Sequence, residues 1–197
     1  SYSYYLYQTK NFPWEYSVPS RILNFHQPIL DVATGLAGFS MIHDWPNDSP
    51  KLVLSDNDPF IVNSLLHYLE LVGKKNVVLV EADFPDSPPQ GIIFGFIMVN
   101  KFLHHLKRPE RIEFLKWSMD SLGPNGVLEI LDTDLEYHIF EQSKQPGFRD
   151  KLTAGYRETL VEIEKGFTDT LKSDVKSAGF SITHYDCRDY HDETDAF

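Results

Sequence analysis

Cysteine is nearly missing from this chain. Cys187 is the single example in 197 residues, which rules out an internal disulfide and a cysteine-rich zinc centre and is compatible with a reducing compartment. Long hydrophobic runs are missing too: none approaches the ~20 residues needed to cross a bilayer, and no signal-peptide pattern opens the sequence. Positive charge is scarce. Eighteen lysines and arginines face 29 acids, giving a net charge of -11 and a pI near 5.1. A surface devoted to neutralising phosphates is therefore not expected, and nucleic acid is set aside as a partner. Neither internal repeats nor low-complexity tracts occur. These absences predict a soluble, cytoplasmic protein that works away from membranes and nucleic acids.

What is present fits one globular domain. Hydrophobic residues make up 42% and charged residues 24% of the chain, and a domain of this length buries roughly 70% of its unfolded surface. Short apolar runs recur at Ile29 to Ala33, Leu52 to Ser55, Val77 to Val80, Ile92 to Val99 and Val127 to Leu131. Between them lie stretches with helical spacing, predicting helices near 37–45, 59–72, 108–122 and 168–178. Such alternation is the signature of a doubly wound, mostly parallel sheet in a three-layer α/β/α arrangement. The runs lack polar alternation, as strands covered on both faces should.

The punctuation agrees. Asp58 before Pro59 is an N-cap with proline at the first helical position, and Gly73 stands where that helix should stop. Leu122-Gly123-Pro124 is read as ending the third helix, and Asn125-Gly126 as turning the chain into the fifth strand. The stretch 133–167 is longer than a simple crossover and predicts a helical insertion, for instance Arg149 to Lys165, that could serve as a lid. Residues 1–27 form a separate aromatic segment. Tyr2, Tyr4, Tyr5, Tyr7 and Tyr16, with Phe12 and Trp14, predict a cap or lid, since large aromatic groups gain most when covered. The main domain then spans 28–197.

The first β-α turn, Ala33-Thr34-Gly35-Leu36-Ala37-Gly38, decides which ligand the sheet can take. A dinucleotide fingerprint needs G-x-G-x-x-G so that a pyrophosphate can approach the backbone at the helix N-terminus. Only Gly35 and Gly38 are glycines here, and no Gly-Lys-Ser/Thr follows, so both the dinucleotide and the Walker-type loops fail.

With these residues in place, "ILDVATGLAG" resembles motif I of the class I S-adenosylmethionine-dependent methyltransferases, hydrophobic-Asp/Glu-x-Gly-x-Gly-x-Gly, and its Asp-Val-Ala-x-Gly version is similar to that of quinone-biosynthesis methyltransferases. Ala33 and Ala37 stand where the family usually has glycine, and alanine is accommodated there where φ is negative. "LVLSDNDP" resembles the second landmark. It implies that Asp56, 25 residues after Asp31, accepts the ribose hydroxyls, with Asn57 beside it. "VVLVEADFPD" resembles the third, placing Ala82 and Asp83 at the adenine edge. "FGFIMVNKFLHHLKRPERIEFLKWSMDSLGPNGVLEILD" is similar to the family's fourth strand, the loop after it, the next helix and the fifth strand. The resemblance runs in order from Ile29 to Asp132. It implies a Rossmann-like fold, S-adenosyl-L-methionine as cofactor, and a cofactor-binding set of Asp31, Ala33, Thr34, Gly35, Gly38, Asp56, Asn57, Ala82, Asp83 and Asn100.

Against the family pattern, the chain has little left for the end of the sheet. A sixth strand is predicted near Ser181 to Arg188, and only nine residues follow, so the usual seventh strand is expected to be absent, to lie in sequence outside these 197 residues, or to be contributed by another segment, such as the tyrosine-rich start of this chain or of a partner. An unpaired edge favours a homodimer.

Catalytic candidates cluster after strands four and five. Asn100 and the following "KFLHHL" reach the edge where open α/β sheets present groups to ligands. His104 and His105 are candidate bases, with a structural role for one ring as the alternative. Adjacent histidines on a helix point about 100° apart, and neither H-E-x-x-H nor cysteine supports them, so no metal is expected. After strand five, Tyr137 and His138 could orient a nucleophile. Asp132, Asp134 and Asn100 could suggest a magnesium site of the catechol-enzyme type, but their spacing does not match that pattern. The expected function is in-line methyl transfer from S-adenosylmethionine to a small-molecule acceptor, which depends on alignment and exclusion of water. The alternatives are a non-methylating enzyme on the same cofactor, by cyclisation or aminobutyrate transfer, and a catalytically silent binding partner that keeps the fold.

Overall fold

The computed structural model describes residues 20–132 and 166–185. Within them, five strands form one sheet: β1 Ile29–Val32, β2 Leu52–Asp56, β3 Val77–Glu81, β4 Phe94–Asn100 and β5 Leu122–Leu131. Their spatial order is β3-β2-β1-β4-β5, and every neighbouring pair is parallel. The helices are α1 Gly38–Asp44, α2 Pro59–Val72, α3 Arg108–Ser121 and α4 Phe167–Ser177.

Strand periodicity divides the core in two. Leu30 and Val32 of β1, Val53 of β2, and Ile97 and Val99 of β4 face one side, where they meet Phe114 and Leu115 of α3 and Phe167 of α4. Ile29, Leu52, Leu54, Phe96 and Met98 face the other, against Met41 and Ile42 of α1 and Leu65 of α2. The three layers follow directly from this two-residue alternation. Coverage on both faces holds for β1, β2 and β4, which are buried almost throughout, but not for the outer strands β3 and β5. At the ends of the described sheet a strand has only one neighbour, and apolar runs there remain half-open, with Val127 and Leu131 exposed.

Local chemistry sets the helix ends. The Asp58 carboxylate accepts from the Phe60 N–H at 2.8 Å, Pro59 opens α2, and Gly73 closes it at φ 67°. α1 begins one residue later than expected because Gly35–Ala37 first makes a 3-10 turn. α3 and α4 lie within a residue of the predicted spans.

Two expectations need correction. β5 begins at Leu122, not after an Asn-Gly turn: Leu122 pairs with Phe94 and Val127 with Phe96, so residues 123–126 bulge opposite Gly95. The turn signal is real, with Asn125 at φ 63°, but it is absorbed within the strand as a bulge. The predicted sixth strand is not formed over its described part, Ser181 to Tyr185. Ile182 is the only aliphatic side chain in that stretch and is exposed, so there is no apolar face whose burial would hold a strand in place. Of the expected cap 1–27 and insertion 133–167, residues 1–19 and 133–165, with Tyr137 and His138, lie outside the described residues. Among those described, no helix is long and apolar enough to cross a membrane.

Candidate functional site

In a sheet of this order, the chain leaves β1 and β4 in opposite directions, and the crevice beyond their carboxyl ends is where open α/β folds hold ligands. The carboxyl ends of all five strands lie along that edge.

The β1 turn is built around two buried carboxylates. Asp31 accepts from Thr34 Oγ1 at 2.5 Å, while the Thr34 N–H donates to the Ser55 carbonyl at 2.9 Å and Ser55 Oγ to the Asp31 carbonyl at 3.0 Å. Asp56 joins the loops: one carboxylate oxygen accepts from the Gly35 N–H at 2.8 Å, the other from the Asp58 N–H at 2.9 Å. Asp31 and Asp56 are only 7% and 8% exposed. Burial pushes the Asp31 carboxyl up to about 7; the Thr34 bond opposes the rise and nearby Asp56 adds to it.

The small residues of the turn have separate physical duties. Gly35 sits at φ 52°, and among the described residues no atom lies within 4 Å of where a Cβ would stand. Gly38 is closed in: a Cβ there would lie 2.7 Å from a Leu65 methyl and 3.1 Å from Thr34 Oγ1, so its small size lets α1 pack on α2. Ala37, at φ -62°, meets the condition for alanine in place of glycine. Ala33 does not. Its φ is 52°, a left-handed conformation that L side chains resist.

Beyond β2 and β3, Asn57 donates its amide to the Asp83 carboxylate at 2.8 Å, and buried Ala82 donates its N–H to the Asp56 carbonyl at 3.1 Å. Asp31, Thr34, Gly35, Asp56, Asn57, Ala82 and Asp83 thus form one connected group. Carboxylates and small residues without a lysine or arginine suit a ligand bearing cationic groups and ribose hydroxyls, and do not suit a polyphosphate.

Across the switch point, Asn100 ends β4 half-buried, and Lys101 takes φ 51°, its N–H donating to the Leu131 carbonyl at 2.8 Å. Phe102 packs edge-on against Phe84 and Phe114, with centroids 6.1 and 5.7 Å away. A 3-10 turn, Leu103–His105, follows. Here the histidines depart from the expected 100° divergence: their rings lie 4.0 Å apart, tilted by 42°, because the segment is a single short turn and not a continuous helix. His104 Nδ1 lies 2.6 Å from Asp132 Oδ1, and its backbone N–H donates to the other oxygen at 3.3 Å. Both side chains are largely buried, at 12% and 5% exposure. Desolvation, then the adjacent His104, holds His105 below the ordinary histidine range. Among the described residues, no three His, Cys, Asp or Glu side chains are grouped to hold a metal.

The His104–Asp132 contact was not expected. It forms because Asp132 stands one residue past β5, and β5 is the neighbour of β4 in the folded sheet.

No family profile matches the chain, and no curated protein matches it in sequence. Solved structures do. A SAM-dependent methyltransferase from Aquifex aeolicus aligns over 89% of this chain and 80% of its own, with a TM-score of 0.54 at 18% identity. This chain has the class I methyltransferase fold. The PH0226 protein of Pyrococcus horikoshii OT3 is also similar, over 73% of this chain and 63% of its own, with a TM-score of 0.54 at 17% identity. The match to the CcbJ methyltransferase of Streptomyces caelestis covers 55% of this chain, at 15% identity and a TM-score of 0.47, and spans only 43% of that protein's length. In the class I methyltransferase fold found here, the β1 turn and the ends of β2 and β3 make one wall of the crevice, and the ends of β4 and β5 make the other.

Proposed function

We propose that the chain is an S-adenosylmethionine-dependent methyltransferase acting on a small-molecule acceptor. The observation that carries this reading is the pair of buried carboxylates, Asp31 and Asp56, gathered around the Gly35 turn at the switch point of a class I methyltransferase fold. When bound, the cofactor supplies an electrophilic methyl carbon on a sulfonium. Asp56 would accept from the ribose hydroxyls, since each carboxylate oxygen has lone-pair capacity beyond the one backbone N–H it already holds. Asp31 would face the cationic amino-acid end, and Asn57, Ala82 and Asp83 the adenine side. Asn100, His104 and His105 stand on the acceptor wall. A small acceptor agrees with a net charge of -11, which disfavours a polyanionic substrate. The chemistry asks the protein mainly to align the reactants and exclude water.

Calorimetry with S-adenosylmethionine tests this directly. We expect one site per chain, weakened at least about tenfold in Asp56→Asn, a loss of about 1.4 kcal/mol or more. Turnover should release S-adenosylhomocysteine, not methylthioadenosine. Absence of binding by the folded wild-type protein overturns the reading.

A further inference from the structure

We propose that the outward face of α2 is a docking surface for the α2 of a second copy of this chain, the two helices lying antiparallel about a two-fold axis. Such pairing is independent of the methyl-transfer reading. The outer face of a surface helix ordinarily carries charge, and α3 has Arg108, Glu110, Arg111, Glu113, Lys116 and Asp120. α2, of the same 14 residues, has Glu70 alone. Nor are its apolar side chains all inside. Val62 and Leu65 are buried, but Phe60 is 65% and Leu71 71% exposed, and Leu66 and Val72 are exposed as well. Four of the nine large apolar side chains that are exposed among the described residues thus sit on one helix. Single exposed ones are ordinary, whereas a concentration marks a contact surface.

Helical spacing aligns them. Phe60, Ser64, His67 and Leu71 follow one another at steps of four, three and four residues, so they fall on one line, on the side away from Val62 and Leu65. Those steps are the spacing of a two-helix seam. Its apolar members stand at the two ends, about 16 Å apart at a rise of about 1.5 Å per residue. The small Ser64 between them lets a second helix come close.

The same pattern selects the occupant. Phe60 and Leu71 are equidistant from the helix midpoint, and so are Ser64 and His67. A two-fold axis there sets Phe60 of one copy on Leu71 of the other at both ends, and Ser64 beside His67, where hydroxyl and imidazole can hydrogen-bond. Charge complements the seam at its flanks. Asn63 falls beside Glu70 of the second copy, an amide donor against a carboxylate, and exposed Lys75, just past Gly73, falls beside the exposed N-cap Asp58. A parallel pair would instead set Glu70 against Glu70 and Asp58 against Asp58. The net charge of -11 keeps copies apart, and a face with one charged residue opposes contact only weakly. One helix pair covers less than the roughly 800 Å² per partner of a stable interface, so the dissociation constant should be about 10–100 μM.

Analytical ultracentrifugation of the full chain from about 1 to about 500 μM tests the pairing. We expect 22.8 kDa at the low end, giving way to twice that mass. Leu71→Lys, an exposed position at the end of α2 away from Asp56, should raise the dissociation constant at least about tenfold and leave the urea midpoint unchanged. Asn63→Lys reads the orientation: in the antiparallel pair the new ammonium meets Glu70 and tightens the dimer about threefold, whereas in a parallel pair it meets its own copy and loosens it. A chain still monomeric at the highest concentration, a dimer indifferent to Leu71→Lys, or a dimer that Asn63→Lys fails to tighten each overturns the proposal. So does binding of the wild-type monomer, but not of Leu71→Lys, to vesicles of phosphatidylcholine and phosphatidylglycerol, which would make the face a lipid contact.

Discussion

A left-handed alanine costs roughly 1–2 kcal/mol relative to a right-handed one, because its Cβ crowds the following carbonyl. At Ala33 that cost sits at the mouth of the β1 turn. Ala33→Gly should therefore stabilise the protein by about 1 kcal/mol in urea denaturation, the relief being partly offset by the greater freedom of glycine in the unfolded chain. A change of zero or a destabilisation would show that the turn is not strained there. Asp31 gives a second measurement, now with pH. Its folded carboxyl, at about 7, lies above its value of 3.8 when free. A group raised in this way contributes stability that is fully present below the unfolded value and is lost as pH rises through the folded one. Between pH 4 and pH 7 the unliganded protein should lose stability from this residue on the order of 4 kcal/mol, and Asp31→Asn should flatten that slope. The places of Asp31, Gly35 and Asp56 on the sheet edge were legible in the sequence because each falls within two residues of the end of an apolar run. His104 was legible only as a candidate. Its partner depends on β4 and β5 being neighbours, and strand order is a property of the folded sheet that no local spacing encodes.

Helices α3 and α4 are joined by a buried ionic clasp. Arg111, 1% exposed, donates from Nε and one Nη to Asp174 at 3.2 and 2.8 Å and to Thr170 at 3.0 Å; Arg108 adds two further bonds to Asp174, and the Arg111 guanidinium lies 4.6 Å from the centre of the Phe167 ring. Asp174, at 2% exposure, is thereby neutralised. Removing one partner leaves the other charge buried alone, so Asp174→Ala should cost about 3–5 kcal/mol in urea denaturation, whereas the double change Arg111→Met, Asp174→Leu should recover most of that loss. Full loss in the double variant would mean that the clasp specifies the packing as well as balancing charge. α3 shows how far local reading reaches at this scale. Its span was evident from helical spacing, yet the arginine buried beneath it was not, because arginine ordinarily marks an exposed face. α2, with Asp58, Pro59 and Gly73 at its ends, was legible almost to the residue. β5 was not, since Gly-Pro-Asn-Gly reads as a turn and only pairing with Phe94 reveals a bulged strand.

Charge at the scale of the molecule joins the sheet order to the ligand. The chain carries a net -11, and the parallel arrangement brings Asp31, Asp56, Asp83 and Asp132 to the same edge, each within two residues of the end of a different strand. Arg108 and Arg111 are paired with Asp174 on the flank formed by α3 and α4. The crevice should therefore hold a negative potential, which raises the local concentration of a cation and speeds its arrival. S-adenosylmethionine carries one more positive charge than S-adenosylhomocysteine, so the two form a matched pair of probes. Raising ionic strength from about 0.02 M to about 0.5 M shortens the screening length from roughly 20 Å to roughly 4 Å. The association rate of S-adenosylmethionine, followed by stopped flow, should fall about threefold or more over that range, with dissociation changing less. The uncharged-sulfur product should show little change in association. If both ligands respond alike, the carboxylates at the sheet edge are serving the fold of the turn and not the capture of a cation.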